Sequence, residues 1–80
     1  MVDENALKEE NRRIRQLRLG VELAIAVIMQ TQLDIDEALD IVNGVRKLAL
    51  RLFPGSEDTF DLIYLPRFRR VLRERFGQLH

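Results

Sequence analysis

Residues 19–29 read LGVELAIAVIM, and Glu22 carries the only charge among them. A run this apolar is driven out of water, so the rest of the chain has to fold around it. Read at about 100° per residue, Leu7, Ile14, Leu17, Val21, Ala24, Ile25 and Ile28 form one stripe of a helix. From Leu19 onward a second stripe opens on the opposite side, made of Leu19, Leu23, Ala26 and Val27. The helix is therefore apolar nearly all round in its C-terminal half, and that half is expected to enter a core. Spanning a bilayer takes about 20 consecutive apolar residues, which this run does not reach. Nor does it read as a secretory signal: Glu22 interrupts it, and Gln30, Thr31 and Gln32 follow in place of a small-residue cleavage site.

Working outward, the pattern predicts a first helix over residues 3–31, with Asp3 as N-cap and Glu4 at the positive end of the helix dipole. Glu9 and Arg13, four apart, are placed to pair on its surface. Glu22 shares a polar sector with Arg15 and Arg18, so an intrahelical pair is expected there. Gly20 is unfavourable by about 1 kcal/mol inside a helix, which favours a close helix crossing at that point. Asp34-x-x-Glu37 has the form of a capping box and opens a second helix over residues 35–53. Its apolar arc spans about 200°, more than one neighbour covers, so it needs contacts on two sides.

Phe53-Pro54-Gly55-Ser56 stops that helix, and Ser56 is positioned to cap a third over residues 57–64. Pro66 cannot donate a backbone hydrogen bond and disfavours helical geometry at Leu65, so a kink or break is expected with a segment over 66–76 following it. Phe68, Val71, Leu72 and Phe76 make the buried face of that segment, and Gly77 ends it. The expected architecture is all-α: one domain over residues 1–80, a small antiparallel three-helix bundle with a long N-terminal helix and a third helix broken at Pro66.

At 80 residues a single helical core is only marginally stable, and association would help it. The chain is 46% hydrophobic and 32% charged, a globular balance that a disordered segment lacks. It has no cysteine, which excludes disulfides and thiolate metal sites and fits the cytoplasm. Thirteen bases offset thirteen acids, yet the charges are segregated along the chain. Residues 34–61 hold seven acids against three bases; residues 62–80 hold five arginines against Glu74 alone.

The first two helices differ in length, and at about 1.5 Å per residue the first overhangs the second by roughly 10 Å. Leu7, Ile14, Val21 and Ile28 recur every seven residues with Leu17 and Ala24 between them. This spacing predicts self-association, as a homodimer, through a seam of Leu7, Ile14, Leu17 and Val21, although Glu10 and Thr31 interrupt it.

Chemistry has little to work with. Asp34-Ile35-Asp36 begins like a calcium loop but lacks the glycine at position six, and Asp58 with Asp61 is ordinary first-turn acid placement. Ser56 is the only serine and His80 the only histidine, at the end of the chain, so nucleophilic catalysis is not expected; no metal or cofactor is expected either. Arg69, Arg70 and Arg73 share one sector of the last segment, a compact basic face for phosphate or an acidic partner, with Arg12, Arg13, Arg15 and Arg18 as a second basic region. Arg75 falls within the apolar arc, where it either snorkels or pairs with an acid across an interface. A helix-turn-helix with its turn at Asn43-Gly44 is disfavoured, because the would-be recognition helix VRKLALRLF is mostly apolar. The expected function is a non-enzymatic helical protein–protein interaction module or accessory subunit. The alternative is a nucleic-acid-binding regulatory or packaging-type factor.

Overall fold

The first helix, α1, runs Glu4–Gln30 and the second, α2, Ile35–Leu52, in a computed structural model that describes residues 3–77. His80 lies outside these residues. Their ends follow local chemistry. The Asp3 carboxylate accepts from the Asn5 amide at 3.0 Å. At Asp34 the capping box closes both ways: the Glu37 amide donates to the Asp34 carboxylate at 2.8 Å, and the Asp34 amide to the Glu37 carboxylate at 3.0 Å.

Two further helices follow, α3 at Glu57–Ile63 and α4 at Leu65–Phe76, and no strand occurs among the described residues. The architecture is thus all-helical, with four helices among the described residues in place of the three, the third kinked or broken at Pro66, that the sequence predicts. Tyr64 separates α3 from α4, so the break falls two residues before Pro66. Leu65 belongs to α4, and Pro66 occupies its first turn, where the missing N–H has no intrahelical partner to lose. Ser56 stands at the N-cap of α3, but its side chain makes no capping hydrogen bond. Gly55, in the turn after α2, and Gly77, the C-cap of α4, take φ of +84° and +82°, a backbone conformation that glycine permits.

Close approaches fix the directions. Gly20 meets Leu48, and the Arg13 guanidinium lies over the Phe53 ring, so residues rising along α1 face residues falling along α2. Glu22 pairs with Arg67, and Arg75 reaches Ile28 and Thr31, so α4 runs parallel to α1. The core takes Leu17, Val21, Ala24 and Ile28 from α1, Ala38, Val42, Val45 and Ala49 from α2, and Phe60, Phe68 and Leu72 from α3 and α4. Small residues on α2 let its neighbours come close, and the two phenylalanines fill the space that remains. Their rings stack with centroids 6.4 Å apart.

Candidate interaction surface

Four helices leave α1 covered unequally. Its 27 residues span about 40 Å at helical rise, against about 27 Å for the 18 residues of α2. Every residue from Asp3 to Arg12 is exposed, and Arg13 is the first to be partly covered. The overhang accounts for the shape. The longest dimension is 49 Å and the radius of gyration 14.4 Å, against about 12 Å for an average fold of this length.

The four residues of the expected seam part company here. Leu17 and Val21 are buried in their own chain at 8% and 0% exposure. Leu7 and Ile14 remain open at 47% and 39%. Facing inward on a helix whose upper half packs on α2 and α4, the stripe is spent on the intramolecular core from Leu17 onward. Ile14 also lines a cavity of about 280 Å³ at the end of the bundle, with Leu17, Phe53, Phe60, Ile63 and Tyr64.

The second stripe of α1 is only partly covered. Leu19 and Leu23 are 63% and 66% exposed. Leu23 and Val27 on α1 and Ile41 and Leu48 on α2 wall an open groove of about 270 Å³, floored by Ala24 and Val45 and notched by Gly20 and Gly44. A Cβ on Gly20 would stand 2.9 Å from Leu48 Cδ2, so the glycine is what lets the two helices cross this closely. Gly44 is different: nothing lies within 4 Å of where its Cβ would be. α2 runs unbroken through Asn43 and Gly44, with no turn for a helix-turn-helix.

Several charges that look free in the sequence are engaged across the fold. Glu22 pairs with Arg67 on α4 at 2.9 Å and not with Arg15 or Arg18. Arg13, expected beside Glu9, instead covers Phe53 with its guanidinium carbon 5.8 Å from the ring centroid, while Glu9 stands 3.9 Å from Arg12. Arg46 makes a two-pronged contact to Asp61, at 2.9 and 3.1 Å. That hydrogen bonding raises the Arg46 pKa and, against some desolvation, lowers that of Asp61. Asp61 is thus an ion-pair partner and not half of a carboxylate pair with Asp58. Arg75 neither snorkels freely nor meets an acid. It donates to the Ile28 and Thr31 carbonyls at 3.3 and 3.1 Å, supplying a positive charge to the C-terminus of α1, whose own last turn has no base.

Arg69, Arg70 and Arg73 are all exposed and make no ion pair or side-chain hydrogen bond among the described residues. No group of acidic or histidine side chains there is arranged to hold a metal ion, and no described helix is long and apolar enough to cross a membrane. Sequence periodicity revealed both apolar stripes of α1. It missed the groove, the Arg46–Asp61 pair and the Arg75 cap, which join residues too far apart in the chain to leave a local signal. No protein-family model, curated protein or solved structure matches this chain.

Proposed function

We propose that this protein is a non-enzymatic helical interaction module that self-associates through α1. The observation that carries the reading is the exposure of Leu19 and Leu23, at 63% and 66%, inside the most apolar stretch of the chain. Single exposed leucines are ordinary, but Leu23 borders a continuous apolar groove, and contiguous apolar surface of that kind marks interaction sites. Leu7 and Ile14 add a second open patch on the overhang of the same helix. Sedimentation equilibrium over a concentration series, at low and high salt, tests the proposal. An oligomer that persists at high salt supports an apolar interface on α1. A monomer of 9.4 kDa at every concentration refutes self-association.

A second reading, a nucleic-acid-binding factor, draws on the exposed face of Arg69, Arg70 and Arg73. Under it, duplex or single-stranded nucleic acid binds with an affinity that falls steeply with salt, and replacing the three arginines by glutamine removes that binding. Absence of any salt-dependent binding by the unaltered protein eliminates it.

A further inference from the structure

We infer that the occupant of the α1/α2 groove is α2 of a second copy of this chain, laid antiparallel about a two-fold axis at Gly44. This rests on the self-association reading and assigns it a face. The charges on α2 carry the argument. Asp36, Glu37 and Asp40 precede Gly44, and Lys47 and Arg51 follow it. Glu37 and Arg51 each lie seven residues from Gly44, in opposite directions, so an antiparallel partner sets each Glu37 against the other chain's Arg51. Asp40 falls beside Lys47 of the second copy within one residue of register. A parallel partner would set acids on acids and bases on bases, and would align the two helix dipoles. Between the charged ends lies an apolar centre. Glu37, Ile41, Gly44, Leu48 and Arg51 follow one another at steps of four, three, four and three, a single ridge whose middle three members line the groove.

Gly44 gains a purpose from this arrangement. Within one chain its missing side chain accommodates nothing, since no atom of the packed neighbours lies within 4 Å of the Cβ position, yet glycine weakens an interior helical position by about 1 kcal/mol relative to alanine. The pairing of Gly20 with Leu48 and of Arg13 with Phe53 places Leu23 level with Gly44 across the groove. In the two-fold dimer each Leu23 enters the notch at the other copy's Gly44. The contact is isologous and closes on itself, leaving no open end for further growth. A stable dimer buries about 800 Å² per partner, about an eighth of the 6193 Å² this chain exposes.

Three variants test the inference by sedimentation equilibrium and cross-linking, with far-UV circular dichroism reporting the fold. Leu23→Glu alters an exposed residue, so the helices persist while the dimer dissociation constant rises about a hundredfold or more. Asp40→Lys also weakens the dimer, and adding Lys47→Asp restores it; residues seven apart on one helix are too distant to pair within a chain, so the rescue is intermolecular. Asp40→Cys combined with Lys47→Cys, in a chain with no other cysteine, gives a disulfide-linked dimer under mild oxidation and leaves the Gly44 notch intact, whereas Leu7→Cys gives none. A dimer indifferent to Leu23→Glu, or one captured through Cys at position 7 and not through the pair at 40 and 47, overturns the groove assignment and leaves self-association standing. A wild-type monomer at all concentrations ends both.

Discussion

Gly20 and Gly44 form a matched experiment, because both are interior helical glycines and only one has a neighbour. Replacing Gly44 by alanine adds a methyl group to open space and gains the full difference in helix propensity, about 0.8 to 1 kcal/mol. For a domain of this size that raises the melting temperature by about 4 to 8 °C. The same replacement at Gly20 gains the same propensity but sets the new Cβ 2.9 Å from Leu48 Cδ2, inside the 3.4 Å at which ordinary contact begins. Overpacking of this kind costs about 1 to 3 kcal/mol, reduced to the extent that the leucine tip turns aside. Gly20→Ala should therefore be neutral to about 2 kcal/mol destabilising, and should fall below Gly44→Ala by about 1 to 3 kcal/mol. Urea unfolding followed by circular dichroism, at dilutions where sedimentation gives a monomer, measures both without a contribution from association. Equal stabilisation by the two variants would refute the close crossing of α1 and α2 at Gly20. Destabilisation by Gly44→Ala in the monomer would refute the open notch.

Other perturbations probe other parts of the fold. Phe68→Ala empties a position that is 0% exposed and costs about 3 to 5 kcal/mol, enough to unfold much of the protein at 37 °C by circular dichroism. Arg75→Met keeps the apolar stem but removes both hydrogen bonds to the end of α1; a loss of about 1 to 2 kcal/mol is expected, with faster amide exchange in the last turn of α1 and little change near its middle. Arg46 holds the Asp61 carboxyl below its ordinary value of 3.8, so the stability this gives is present above that pH and is lost as the pH falls through the lowered value. Asp61→Asn should lower the melting temperature at pH 7 and flatten its fall below about pH 4; an unchanged acid limb would mean that the pair contributes nothing to stability.

Most of what the chain discloses locally concerns where helices begin and end. Asp3, the Asp34–Glu37 box, the Pro54-Gly55 turn and Gly77 each act over one turn of backbone, so each is visible without knowing the neighbours. Ser56 and Pro66 mark the limit of that reading. A serine in the right place made no capping bond, and proline was accommodated inside the first turn of α4 while the break fell at Tyr64. The expected surface pair of Glu9 and Arg13 failed for a related reason. At the end of the bundle Arg13 finds the Phe53 ring and is drawn away from its helical neighbour.

The seam of Leu7, Ile14, Leu17 and Val21 shows the boundary most clearly. Its spacing by sevens says that a face is apolar without saying what covers it. The sequence alone determined an all-helical chain, the caps at Asp3 and Asp34, its segregated charge and the two apolar stripes of α1, because hydrogen bonding and side-chain direction within a helix depend on residues three or four apart. Only tertiary structure decided that Leu17 and Val21 are buried in their own chain while Leu19 and Leu23 remain open. It also decided that Glu22 belongs to Arg67 and Arg75 to the end of α1. These outcomes turn on which residues 44 to 47 positions apart meet, and that is fixed by how the helices pack.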